Sequence, residues 1–243
     1  MDALIYTAMS GADRALRAQQ VHANNLANLD TGGFRANLEV SGAVALAPYG
    51  GGYDDRHMTQ MEASTLESRS GPLRETGREL DVALAGPGYL AVQDGDSEAY
   101  TRAGAIAIDA AGALSINGHA LLGHGGPIVL PPYTSVSIGN DGTLSVLVAG
   151  AAQPQVVDQL KLVNAGAATL TKNQAGLVVT RDGAPLEADP AIIVSGRHLE
   201  GSNVSAVEEM VATMSLNRSF EMQMKLFKAS DDMASTGNRL ISG

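Results

Sequence analysis

At 243 residues the chain is long enough for one large domain or two small ones with a sizeable core, and 44% hydrophobic against 17% charged residues argue against wholesale disorder. A net charge near −10 argues against electrostatic binding to nucleic acid or to an anionic membrane, and leaves proteins as the natural partners. The absence of Cys excludes disulfides, thiolate metal sites and a Cys nucleophile.

The N-terminal stretch "MDALIYTAMSGADRAL" carries an acid at Asp2 and lacks both a basic leader and a sustained apolar run. Export, if it occurs, is therefore expected to need no cleaved signal peptide, and no stretch approaches a membrane span. Ile5, Met9, Ala12, Leu16, Gln19, Ala23 and Leu26 alternate steps of four and three, a heptad seam with one polar position at Gln19. Such a helix is marginal alone in water and predicts a partner.

The helix then runs into "ANNLANLDTGGFR". Asn is a poor interior helix residue because its amide competes for nearby backbone groups. Thr31-Gly32-Gly33-Phe34 is a stop signal, but Asn24, Asn25 and Asn28 need another reason. Two readings stay open: the amides fix register against neighbouring helices, or they cap the helix end locally.

Residues 41–75, rich in Gly, Ser and Thr, read as a loosely ordered connector. Short strands then follow between turn signals, forming a compact β domain over about residues 80–194. "LDVALAGPGYLAVQDG" holds two strand-like runs around Gly86-Pro87-Gly88, and "SVSIGNDGTLSVLV" is the strongest hairpin, turning at Asn140-Asp141-Gly142. "QVVDQLKLV" and "GLVVTRDG" add strands. A long helix is predicted from Ser205 onward, where Ser205 and Glu208 form a capping-box pattern. On it Val207, Met210 and Met214 share one face, and Leu216, Phe220, Met224 and Phe227 continue at helical spacing. Met adapts to variable partners, so this stripe suits either an internal core or contact with other copies.

Catalytic and cofactor motifs are missing: there is no G-x-S-x-G, P-loop, H-E-x-x-H, or G-x-G-x-x-G in a βαβ setting. His119 and His124 sit in a Gly-rich loop and read as turn residues, not metal ligands. Asp94 to Glu98 lack the remaining ligand positions of a calcium loop, and Asp231-Asp232 reads as a solvated helix face. No enzyme, no metal and no cofactor are expected.

The opening motif, Asn24-Asn25-Leu26-Ala27-Asn28 followed by Thr31 and Gly33-Phe34-Arg35, resembles the N-terminal signature of bacterial flagellar rod and hook proteins. "LDVALAGPGYLAVQ", "YTRAGAIAIDAAGAL", "SVSIGNDGTLS", "LEGSNVSAVEEMV" and "RSFEMQMK" resemble later blocks of that family, in its order and over nearly the whole chain. The start and "FEMQMK" are most similar to the proximal-rod branch; a distal-rod or hook-type subunit is the alternative within the family. Outside it, the alternative is a soluble β-rich binding protein that dimerises by a helical pair.

The resemblance implies an α+β subunit whose terminal helices form a coiled-coil-like inner core around which a central all-β domain is displayed. Residues 1–36 and 199–243 would supply the core, 37–79 a connector and 80–198 the β domain. Assembly residues would be Ile5, Met9, Leu16, Asn24, Asn25, Leu26, Asn28, Thr31, Gly33 and Phe34 on the first segment, with Val207, Met210, Met214, Phe220, Met224 and Phe227 on the second. It further implies a periplasmic rod that transmits torque. The partners would be other copies, neighbouring rod proteins and the flagellar type III export apparatus, with no nucleic acid and no membrane insertion. Terminal segments of such proteins order on assembly, and Phe34 with Leu38 resembles the short signal that they present to the export gate.

Overall fold

The fold is that of a computed structural model, which describes the backbone of residues 2–45 and 57–242 and the side chains of residues 7–38, 65–166 and 168–240. Two long helices bracket the chain, α1 (Asp2–Ala27) and α2 (Ala206–Ser242), and among the described residues between them the regular structure is strand apart from one short 3₁₀ turn. The fold class is α+β.

The chain divides into two compact units, and neither is a single run of sequence. One gathers residues 1–27, 37–65 and 205–243; the other gathers 28–36 and 66–204. The helical unit contains α1, α2 and the paired strands Asn37–Ala45 and His57–Leu66, the latter reaching one residue beyond its boundary. Strands thus occupy much of the stretch expected to be a loose connector. Its Thr and Val residues suit a pleated ladder, which outweighs the Gly and Ser content that suggested irregularity.

The second unit is built on a five-stranded sheet in the order Leu162–Val163, Tyr89–Asp94, Ser97–Thr101, Val178–Thr180, Leu170–Lys172. Both of its faces are covered. Leu90 and Val92 enter one core with Ile106, Leu114, Ile116 and Leu144, whereas Tyr89 and Ala91 enter a second with Tyr100, Val163 and Leu170. Successive side chains of a strand point to opposite faces. The apolar run "YLAV" is therefore what a doubly covered strand requires. Its neighbour in sequence, Val82–Ala85, does not pair with it but with Ile193–Gly196, so the Gly86-Pro87-Gly88 turn separates two sheets.

The strongest predicted hairpin forms as read. Val136 pairs with Val146 and Ile138 with Leu144, and Gln155–Gln159 extends the sheet on the other side of the returning strand. The Asp141 carboxylate accepts bonds from the Thr143 N–H and hydroxyl, which closes the turn. Leu144 is fully buried at the start of that return. Leu144→Ala is expected to lower the unfolding free energy by about 2–5 kcal/mol, measured by urea titration.

Candidate assembly surface

Within the helical unit α1 and α2 run antiparallel: Gly11 meets Gln223 and His22 meets Glu209. The face of α1 turned inward is not the predicted seam. The inward face carries Ala8, Gly11, Ala15, Ala18, His22 and Asn25, again at steps of three and four, but each one residue before a member of the apolar seam, whose Ala12 and Gln19 are half-buried beside it. One residue is 100° on a helix, so the two seams are neighbouring stripes. Small side chains let the helices approach closely. A Cβ built at Gly11 would lie 2.8 Å from the Gln223 amide oxygen.

The large apolar residues consequently face outward. Met9 is 59% exposed, and Leu16, Ala23 and Leu26 are also exposed; Ile5 lies on α1 with its side chain outside the described residues. On α2 the expected stripe divides between the two faces, and Phe220, expected on the assembly surface, lies on the inward one. Glu209, Thr213, Leu216, Phe220 and Gln223 turn inward, while Val207, Met210, Met214 and Met224 are exposed, Met214 by 60%. Phe227 lies at the margin of exposure. Ser205 caps α2, its hydroxyl accepting from the Glu208 N–H at 3.5 Å.

At the Asn-rich end the three amides divide their work. Asn25 is buried: its Nδ2 donates to the Glu209 carboxylate and the Asn37 carbonyl, both at 3.1 Å, and its Oδ1 accepts the Asn37 N–H at 2.9 Å. The other Glu209 oxygen contacts the His22 ring. Glu209 lies in the first turn of α2, where the helix dipole favours an anion. Asn24 stays exposed and accepts a long bond from Asn37 Nδ2, and Asn28 accepts from the Thr31 hydroxyl. Of the three amides, Asn25 has its bonds taken up within its own chain, by Asn37 and Glu209.

The stop signal leads into a strap, residues 28–36, which belongs to the β-rich unit. Gly33 adopts φ +69°, and a Cβ there would lie 2.2 Å from the Arg102 backbone carbon, so both conformation and space demand glycine. The Gly33 N–H donates to the Glu200 carbonyl at 2.8 Å. The Asn203 N–H donates to the Phe34 carbonyl, and the Ala36 N–H donates to Asn203 Oδ1 at 2.7 Å. Lys172 lies with its ammonium 3.7 Å from the centroid of the half-buried Phe34 ring and donates to the Arg35 carbonyl.

Beneath the strap sits a buried ion triad. Glu200 and Arg102 have side chains 1% exposed, and Arg35 is 4% exposed. Glu200 Oε2 accepts from Arg102 Nε and Nη2; Oε1 accepts from Arg35 at 3.0 Å and from the Gly71 N–H. Arg102 also donates to the carbonyls of Leu84, Gly86 and Gly88, which engages all of its N–H groups. Burial, and next the nearby Arg102, lower the pKa of Arg35 from its ordinary value. Burial likewise raises the Tyr89 phenol above its usual range.

Three family descriptions match in chain order: flagella basal body rod protein at residues 5–35, flagellar hook protein FlgE/F/G D1 domain at 83–146, and flagellar basal body rod FlgEFG protein C-terminal at 195–240. The flagellar basal-body rod protein FlgF of Escherichia coli K12 is 42% identical, covering 100% of this chain and 99% of its own length. The chain belongs to the flagellar basal-body rod protein family. It is a structural subunit of the flagellar rod, most like FlgF. FlgF of Salmonella typhimurium LT2 is 41% identical over 100% of this chain and 99% of its own, against 29% for the rod protein FlgG of Bacillus subtilis, which covers 94% of this chain and 95% of its own.

Each member of the triad lies in a different one of the three matched segments: Arg35 in the first, Arg102 in the second, Glu200 in the third. Sequence reading missed the triad, His22, Glu209 and Asn203, because charged residues scattered along the chain carry no local signal. The inner seam of α1 was visible as a run of small residues at heptad spacing, but the stronger apolar seam beside it drew the assignment.

Glu200→Gln leaves two buried guanidinium groups without their anion and is expected to cost about 3–5 kcal/mol of unfolding free energy, measured by denaturant titration. Desolvation lowers the pKa of Lys172 to about 8 from 10.5. Between those values the unfolded chain holds a proton that the folded one lacks, so this lysine makes stability rise with pH. The window is read below pH 10, where Tyr89 and Tyr100, both raised by burial, stay neutral. Unfolding midpoints measured at pH 7.5, 8.5 and 9.5 should rise in the native protein relative to Lys172→Met, in which this slope is absent.

Proposed function

We propose that this chain builds the proximal part of the rod by packing the exposed apolar stripes of α1 and α2 against other copies and against adjacent rod proteins. The observation that carries the reading is the division of each helix into two stripes. The inward stripe, small on α1 but carrying Leu216 and Phe220 on α2, serves the pairing within the chain, while Met9, Leu16, Leu26, Val207, Met210, Met214 and Met224 remain outside it. Contiguous exposed apolar residues at helical spacing mark an interaction face. Repeated heterologous contact between such faces generates a filament, not a closed ring. Stacked subunits of that kind transmit torque through packed side chains. The role is structural and involves no catalysis.

The reading includes a periplasmic position reached through the flagellar type III export apparatus without a cleaved signal peptide. Phe34 and Leu38 serve as the signal read by its gate. No helix among the described residues is long and apolar enough to cross a membrane.

Leu16→Glu with Met214→Glu tests the assembly reading, since both side chains are exposed. The purified variant should keep the native circular dichroism and an unfolding free energy within about 0.5 kcal/mol of native for each site. Cells carrying it in place of the native gene should lose motility and yield basal bodies without a completed rod. Normal swimming would remove these stripes from the assembly surface.

A further inference from the structure

We infer that the outward methionines of α1 and α2 are sites of reversible oxidation, and that their sulfoxides keep a free subunit from packing. This rests on the reading of the exposed stripes as the assembly surface. The distribution of sulfur along the chain is the first observation. All nine methionines fall within the helical unit, and none lies in the β-rich unit. The chain has no Cys and no Trp, so no thiol or indole competes for an oxidant. Exposure is the second observation. Met9, Met210, Met214, Met222, Met224 and Met233 are all the methionines whose side chains are described, and they are 47% to 60% exposed. Placement is the third. At about 100° per residue, Met224, Met210 and Met214 span about 80° of α2, away from the inward Glu209, Leu216 and Phe220.

The reaction needs only a two-electron oxidant such as hydrogen peroxide. The thioether sulfur attacks one peroxide oxygen, an S–O bond forms and the O–O bond breaks. Sulfur gives up two electrons, and the second oxygen leaves as water with both protons. The product is a polar, chiral side chain where a flexible apolar one stood, and methionine sulfoxide reductases restore the thioether. A sulfoxide buried at a helix contact without a donor weakens packing by on the order of tenfold at each site. The β-rich unit holds no methionine, so its core is untouched while the packing face changes. Sulfur is thus confined to the surface where its oxidation has a consequence for assembly.

The test begins with the purified chain in hydrogen peroxide, with peptide mapping by mass spectrometry to follow the gain of one oxygen at each methionine. The six exposed methionines should oxidise within about threefold of the rate of a short unstructured Met peptide, and circular dichroism should stay native. Rates more than about tenfold slower overturn the proposal, because the sulfurs are then shielded. Purified basal bodies receive the same treatment. Met210 and Met214 should be protected there; oxidation as fast as in the free chain overturns the assembly reading itself.

The consequence is read in two strains that lack methionine sulfoxide reductases. One carries the native gene, and the other carries Met9→Leu, Met210→Leu, Met214→Leu and Met224→Leu together. Both regrow flagella under sublethal peroxide. Other proteins are oxidised alike in the two strains, so the difference between them reports on this chain. The native strain should form completed rods at least about fivefold less often, and restoring the reductases should abolish the difference. Where the fourfold variant does not swim without peroxide, Met214→Leu alone is compared by the same criterion. Equal rod numbers in the two strains, with protection in basal bodies intact, overturn the oxidation proposal and leave the assembly surface standing.

Discussion

A carboxylate held between two guanidinium groups is the constraint on which the β-rich unit depends. Removing three charges from water is costly, and only close pairing with full hydrogen bonding offsets the loss. Glu200 meets that demand with four donors, two of them from Arg102 and one from Arg35. Arg102 in turn gathers the carbonyls of Leu84, Gly86 and Gly88, which fixes the turn between two sheets. Because a single carboxylate satisfies both arginines, the early strap, the middle strands and the strand ending at Glu200 have one mutually consistent arrangement. The triad carries one positive charge in excess, which the surrounding carbonyls help to solvate.

The strap shows how a helix stop can become part of a domain core. Gly33 is needed there because the backbone comes within contact of Arg102, and Phe34, Arg35 and Ala36 then bond in succession to distant residues. In the helical unit the corresponding polar device is the cluster of His22, Asn25, Asn37 and Glu209. Buried polar groups of this kind fix register, since any axial shift would leave a carboxylate or an amide unpaired. The antiparallel pair thus gains its alignment from a few polar contacts, and its closeness from Ala and Gly.

That arrangement explains why a rod subunit can carry so many exposed methionines. A helix that uses one stripe for its own partner has the neighbouring stripe free at about 100° to it. Met makes adaptable contacts, which suits a surface that must meet neighbours in more than one setting. The acidic composition that argues against nucleic acid and anionic membrane is compatible with such protein contacts.

The sequence by itself determined the two terminal helices, the capped start at Ser205, the hairpin around Asn140-Asp141-Gly142 and the family, because each is written in local periodicity, turn chemistry or a contiguous motif. It also singled out the Asn-rich helix end, though not which amide is buried. Only the tertiary structure decided that Asn25 bonds to Glu209, that the outward seam lies one residue beyond the inner one, and that Val82–Ala85 pairs with Ile193–Gly196 across the chain. It alone joined Arg35, Arg102 and Glu200. The physical reason is common to all of these. Periodicity shows that a helix or strand has a face to bury, but which partner covers that face is settled by shape, charge pairing and hydrogen-bond satisfaction between residues far apart in the chain.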